Sequence, residues 1–573
     1  MLNRRKTSLV ILAAMLLGFA ALVLALLKQK CLFVDDSQHI PAGYSYLVTR
    51  DFRLNQEHPP LIKLVSALGL VALKPQLPFD SPGWEKAAEP GDPDDGSSEF
   101  APAFFERNAD RFEAIAFWGR VPVVVVPLLL AVAVWWFART LFGELAGILA
   151  ALLLLSEPNI IGNATLVQDD LAAALMLLVF VITLRHYFKQ PTLGRAALLG
   201  VVLGLALLTK YSLVVLAPVC LLAMIAHAIW LYVRRRPTAL RRPELPIIVM
   251  MLCAYLILIA GYAFRVDWID EDEAAMIAEW LHLSGHFSES FQALLLHLPV
   301  LLPKYFLAGI EMVRHDTQGG RPAFLLGEVS SRGWWYYFPV AFALKTTLPF
   351  LIVTVGGLAW SIWRIVRRRW LDGLYVVLPP LLYLALSMTS HLNIGLRHAL
   401  PIFPFFAIAG AGALSAVTQR IIWRGVKWRD LIVTATLGWS VVLAALSYPN
   451  YLTHFNVLAG GTAGGWKRLS DSNVETGQEV KALADYLKRH GSNTVAALCI
   501  GVDFLRYYGI KYCYLPCDAA AAGLSEPPQY VAIGPWYLEE VDVTPEQKAA
   551  IEPFRNRQPE AMVGNSIFVY RIR

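Results

Sequence analysis

TSLVILAAMLLGFAALVLALLKQKCLFVDD, residues 7–36, is an uncharged apolar run closed by two lysines and then by two adjacent acids. About 20 such residues cross the hydrocarbon core of a bilayer. No small-residue cleavage site follows 7–27, so the run is read as a retained helix and not as a removed signal peptide. Asp35 and Asp36 then stand at a lipid–water boundary, where carboxylates are costly unless they pair, bind a cation or move protons. Glu57-His58-Pro59-Pro60 follows in the same loop.

The remainder of the chain has the same character. Of 573 residues, 56% are apolar and only 16% charged, which excludes a soluble globule of this size. Further apolar runs lie near 120–138, 144–156, 171–185, 196–209, 211–233, 245–264, 336–363, 371–389, 399–417 and 430–447. Basic residues gather in alternate connections, at 4–6, 139, 185–195, 234–242, 364–369 and 420–429. By the positive-inside rule these face the cytoplasm, and Lys28 and Lys30 are a small violation. The expected fold is a polytopic α-helical membrane protein of about 11 transmembrane helices, N-terminus inside, with a C-terminal soluble α/β domain outside.

The division expected is a membrane domain at 1–447, with outer loops 32–111 and 265–335, and an outer-face domain at 448–573. The stretch 61–73 is too short to span and reads as a helix in the interface. The loop 265–335 reads as largely helical along the bilayer surface, with an acidic patch at 267–273 and His282, His286 and His297 behind it. In the tail, a helical pattern at 478–490 alternates with strand-like runs at 494–500, 530–533 and 566–570. Cys499, Cys513 and Cys517 fall there, and an oxidising compartment permits one disulfide among them, its pairing open.

Asp35 suits a general base that draws a proton from an acceptor, with Asp36 beside it and His39 one helical turn on. Glu57 and His58 are aimed by the two prolines and could ligate a divalent metal or bind phosphate. Asp169-Asp170 open the fourth apolar run, where an acid faces a polar cavity or caps the helix. Lys345, inside an apolar run, and Lys210 and Arg397-His398, at outer membrane edges, are candidates for neutralising a lipid phosphate. Walker, Rossmann, zinc-cluster and serine-hydrolase motifs are absent, as are basic surfaces of the nucleic-acid type.

Val34-Asp35-Asp36-Ser37, Glu57-His58-Pro59-Pro60-Leu61, Gln168-Asp169-Asp170, the run 204–210, Tyr336-Tyr337-Phe338-Pro339 and Asn393-Ile394-Gly395-Leu396-Arg397-His398 together resemble the lipid-carrier-dependent glycosyltransferases of the GT-C fold. That group includes the protein O-mannosyltransferases and the aminoarabinose transferases. The resemblance implies a polyprenyl-phosphate-linked sugar donor, transfer with inversion to a protein, lipid or glycan acceptor at the outer face, and a bacterial inner membrane location. Its catalytic positions match Asp35, Asp36 and Asp170. Asp36 replaces the usual Glu, and His58 replaces a Lys of some members. Asp471-Ser472-Asn473 and Gly477-Gln478 resemble the motif that opens the outer domain of bacterial relatives, with Glu475-Thr476 in place of Asp-Trp. Two readings of other classes are a transporter or flippase, which also places ionisable groups in membrane cavities, and an outer-face scaffold or receptor.

Overall fold

A computed structural model describes residues 2–87, 96–233, 244–269, 271–280, 283–297, 301–417 and 428–572. The basic stretches at 234–242 and 420–427, Asp270 of the acidic patch and His282 lie outside the described residues. Among the described residues, five helical stretches are long and apolar enough to cross a membrane: Lys6–Gln29, Ala109–Phe142, Asp170–Lys189, Leu348–Arg368 and Leu396–Ala416. Shorter apolar helices include Glu144–Leu155, Leu193–Leu207, Leu245–Gly261 and Leu371–Ser387. The protein is a multi-pass membrane protein.

The run 336–363 is not one span. It folds as two helices, Tyr337–Lys345 and Leu348–Arg368, because Pro349 has no backbone N–H and favours the start of a helix over its middle. The carbonyls freed at the break are satisfied from elsewhere. Asn456 Nδ2 donates to the carbonyls of Ala343 at 2.6 Å and Thr346 at 2.8 Å, and the Thr347 hydroxyl donates to Glu157 at 2.7 Å.

The two lysines that break the charge rule are held locally. Lys30 donates to Asn450 Oδ1 at 2.6 Å and pairs with the buried Glu479, while Lys28 lies over the Phe117 ring. The Lys30 charge is thus neutralised within the fold, while Lys28 stays exposed.

The loop after the first apolar helix starts as the helix Val34–Thr49, which passes through Pro41 and stops at Arg50 in the left-handed region. The short helix Leu61–Ala67 crosses it at Gly43, where a side chain would collide with the Lys63 backbone carbonyl. Lys63 is 1% exposed. Its ammonium donates to the carbonyls of Asn55 at 2.6 Å and His58 at 2.7 Å, to Asn55 Oδ1 at 3.1 Å and to the Tyr46 hydroxyl at 3.0 Å. A buried ammonium that donates to these oxygens fixes the loop 55–60, and therefore the Glu57-His58 pair.

The tail contains a five-stranded sheet in the spatial order Lys511–Tyr514, Thr494–Leu498, Tyr530–Ile533, Ile567–Arg571, Ala561–Val563. The first three strands are parallel and the last two join antiparallel. The helices Val480–Arg489 and Pro545–Arg555 accompany it. Cys513 is disulfide-bonded to Cys517, and Cys499 is a buried free thiol. The stretch ahead of this sheet is tied to the membrane part: the backbone N–H groups of Cys31 and Val34 donate to the carbonyls of Gln478 and Thr476, both at 3.0 Å.

Gly43→Ala is expected to destabilise the protein by about 1–3 kcal/mol, since the added methyl meets backbone and not a flexible side chain. A lowered thermal unfolding midpoint in detergent, next to an unchanged one for Gly18→Ala, where the space is open, checks it.

Candidate functional site

Asp35 leaves the helix Val34–Thr49 at its first turn and meets Arg397, which arrives from the 3-10 turn Leu396–Ile402. Arg397 Nη1 donates to Asp35 Oδ2 at 2.6 Å, and Gln168 Nε2 donates to the same oxygen at 2.8 Å. The Asp35 side chain is 30% exposed and that of Arg397 is 14% exposed, into a cavity of about 460 Å³. Burial works against the charge of Asp35, but the Arg397 guanidinium, with His39 and His58, outweighs it and lowers the carboxyl to about 2.

Around the same cavity stand Glu57, His58, Asp169, Lys210, Arg314, Asp316, Arg321, Tyr383 and His398. His58 Nδ1 is 3.2 Å from Asp169 Oδ2, its Nε2 is 3.7 Å from Glu57, and its ring meets that of His39 edge-on at 4.8 Å. His39 is turned aside by a bond from its Nδ1 to the Val167 carbonyl, so it contacts His58 and shares no ligand with Asp35. Lys210 donates to Asp169 at 3.3 Å and pairs with Asp170. Arg321 pairs with Asp316 and lies 3.9 Å from Glu57. Burial disfavours the charged form of His58, yet Asp169 and then Glu57 outweigh it and raise its pKa above the ordinary imidazole value. On Asp169 the same partners, Lys210 first, overcome burial and lower the carboxyl.

Three expected site residues face elsewhere. Asp36 is fully buried and accepts the Val167 N–H at 2.7 Å, tying its helix to the loop before Asp169. Burial, against Arg120 and that bond, pushes its carboxyl up to about 7. Asp170 is 3% exposed and serves as a counter-ion to Lys210, while its neighbour Asp169 faces the cavity. Asp169 stands at the N-cap position of its helix without capping it, because its oxygens go to His58 and Lys210. Lys345 is 2% exposed and donates to the Leu452 carbonyl at 2.5 Å and to that of Asn473, away from the cavity.

Asp169 and Arg321 were missed as site residues. Asp169 differs from Asp170 only by one helical position, and Arg321 sits in a Gly-Gly-Arg-Pro turn whose reach to Glu57 no linear spacing shows. The motif 393–398 did carry the signal for Arg397 and His398. Arg397 Nε and His398 Nε2 are buried without a partner, so the turn still has polar capacity to offer a ligand.

Glu57 and His58 supply two metal donors, and among the described residues no group of three His, Cys, Asp or Glu side chains converges on a cation position. Arg321 and Lys210 already balance the nearby acids. Acids and cations therefore line the cavity in paired form, and an entering anion must displace a carboxylate from its cation.

Residues 112–260 match the sequence profile of the dolichyl-phosphate-mannose-protein mannosyltransferase family, in line with the resemblance read from the motifs. No curated protein sequence matches the chain. Among solved structures it is similar to ArnT from Cupriavidus metallidurans bound to undecaprenyl phosphate, at 14% identity over 98% of this chain and 97% of that one, TM-score 0.47. It is also similar to the oligosaccharyltransferase AglB from Archaeoglobus fulgidus in complex with an inhibitory peptide and a dolichol-phosphate, at 11% identity over 92% and 70% of the two chains, TM-score 0.46. A complex of an Archaeoglobus fulgidus oligosaccharyltransferase with Zn and sulfate matches at 13% identity over 75% and 52%, TM-score 0.44.

A raised imidazole pKa stabilises the fold fully below the ordinary value near about 6.5, and that contribution is lost as pH rises through the raised value. The unfolding midpoint of wild type should therefore exceed that of His58→Gln at about pH 6, and the gap should shrink by about pH 9. A gap that widens with pH contradicts the Asp169–His58 pairing.

Proposed function

We propose that this chain moves a sugar from a polyprenyl-phosphate carrier to an acceptor at the outer membrane face. The observation that carries the reading is the Asp35–Arg397 pair, a base and a phosphate-binding cation held 2.6 Å apart at the wall of a cavity lined by apolar side chains as well as charged ones. The family profile over 112–260 and the paired-acid and Glu-His-Pro-Pro motifs support it. The basic connections support an N-terminus inside, the tail outside and, in a bacterial cell, the inner membrane. No feature of the described residues favours the flippase or scaffold readings.

The two partners have coupled roles. As the donor enters, its phosphate competes with Asp35 for Arg397, which holds the carboxylate through Nη1 alone and can take a phosphate bidentately. Asp35, relieved of its counter-ion while still half-buried, gains proton affinity. The acceptor hydroxyl or amine then gives its proton to Asp35 and forms the new bond at the anomeric carbon. The bond from that carbon to the phosphate oxygen breaks with its electron pair on the phosphate, where Arg397 meets the growing charge. Attack opposite the leaving phosphate inverts the anomeric centre. His398 and Lys210 line the cavity within reach of sugar and phosphate oxygens, and Asp36 and Asp170 hold the frame. A divalent cation at Glu57 and His58 belongs to this reading only if metal analysis of purified protein finds one. The tail from Tyr448, whose sheet lies outside the membrane part, positions the acceptor, a protein, lipid or glycan.

Asp35→Asn keeps the shape and removes the base. It is expected to cut sugar transfer from a labelled polyprenyl-phosphate donor by about two to four orders of magnitude. Transfer at the wild-type rate contradicts the assignment. Arg397→Lys, which loses the fork, is expected to lower donor affinity and rate together; wild-type values for both would remove Arg397 from the phosphate site.

A further inference from the structure

We infer that Ser472 and Asn473, from the tail, are positioning residues for Arg397, so that the tail is a structural part of the donor-phosphate site as well as an acceptor platform. The inference rests on the reading above, in which Arg397 holds the phosphate. The apolar side chains Leu396, Ala399, Leu400 and Ile402 pack the Arg397 turn into the core, and the tail holds the backbone at its start. It begins after Gly395, whose φ of 165° is extended backbone open to any residue. The glycine is needed for room, because a Cβ there would collide with the Ser472 hydroxyl.

Through that close approach the tail grips the turn. Ser472 Oγ donates to the Ile394 carbonyl at 2.6 Å, and the Leu396 N–H donates to Asn473 Oδ1 at 3.0 Å. Asn473 is 1% exposed, and its amide hydrogens go to the Tyr337 hydroxyl at 2.8 Å and the Ser470 carbonyl at 3.0 Å. Every polar atom of this buried side chain is used, the condition under which such a group rigidifies its surroundings. Lys345 joins the same device, since its buried ammonium donates to the Asn473 carbonyl. Asp471, at φ 58°, makes the turn that presents the pair, and its backbone carbonyl accepts the N–H groups of Val474 at 2.8 Å and Glu475 at 3.0 Å.

The same stretch reaches Asp35 from the other side. Three residues beyond Asn473, the Thr476 carbonyl accepts the N–H of Val34, the residue before Asp35. A segment of four residues, 473–476, thus spans from the backbone of the Arg397 turn to the backbone of the Asp35 helix. It sets the separation across which the two side chains pair. Movement of the tail sheet can reach it through Glu475, whose Oε1 accepts the Ile500 N–H at 3.0 Å at the end of the strand Thr494–Leu498.

The test compares binding of polyprenyl phosphate and of the matching polyprenol to purified full-length wild type, Asn473→Ala, Ser472→Ala, Arg397→Ala and Thr544→Ala. The last removes a helix cap of the tail far from the cavity and serves as a stability control. Asn473→Ala should bind polyprenyl phosphate about tenfold more weakly and polyprenol as wild type does, and Ser472→Ala about threefold more weakly. Thr544→Ala should change neither. A general structural defect would weaken both lipids alike, and that result overturns the proposal. So does wild-type phosphate affinity in folded Asn473→Ala, or in Ser472→Ala should the first variant not fold, while Arg397→Ala loses it. If Arg397→Ala keeps its affinity, the parent reading of Arg397 fails and this inference fails with it.

Discussion

The ion pair between Asp35 and Arg397 joins residues 362 positions apart and ties together two walls of the cavity. One partner comes from the helix Val34–Thr49 and the other from the turn that opens a late apolar helix. A charge pair withdrawn from water is worth forming only with good geometry and further hydrogen bonds. Gln168 supplies one such bond to Asp35, and Phe33 lies under the guanidinium at 5.4 Å. Removing one partner of such a pair strands the other charge and typically costs about 3–5 kcal/mol.

The acids divide by environment and not by position in the chain. Adjacent carboxylates serve opposite ends: Asp35 faces the cavity and stays ionised, whereas Asp36, fully buried on a backbone N–H, is pushed up to about 7 and fastens the frame. Asp169 and Asp170 split in the same way around Lys210. Lys63 and Lys345, both buried on backbone carbonyls, hold the loop before His58 and the tail segment under Arg397. Cations placed in this way fix segments beside the cavity without entering it.

Much of the membrane architecture was legible because bilayer thickness imposes a long apolar run on each helix. The runs at 7–27 and 171–185, the short helix after Pro60 and the tail strands at 494, 530 and 567 all correspond to elements found. The break at Thr346–Thr347 was not, since the run reads as continuously apolar and only Pro349 marks a restart. The strands Lys511–Tyr514 and Ala561–Val563 were missed because they are three or four residues long and carry little alternation. At the site, Asp35, Glu57, His58, Arg397 and His398 were legible from boundary position and motif, and they meet in one cavity. Lys345 misled because an intramembrane lysine looks functional until the carbonyls that bind it are known. Asp36, Asp170 and Asp169 could not be sorted because which of two adjacent acids faces a cavity depends on helix rotation, and sequence spacing does not fix that.

The central claim is that Asp35 and the donor phosphate compete for Arg397. If so, Asp35→Asn, which abolishes the competing charge, should bind polyprenyl phosphate more tightly than wild type at neutral pH, even though its catalytic base is gone. Equilibrium binding of polyprenyl phosphate to folded wild type and Asp35→Asn decides the matter: tighter binding by the variant is the predicted result, and equal or weaker binding contradicts the account.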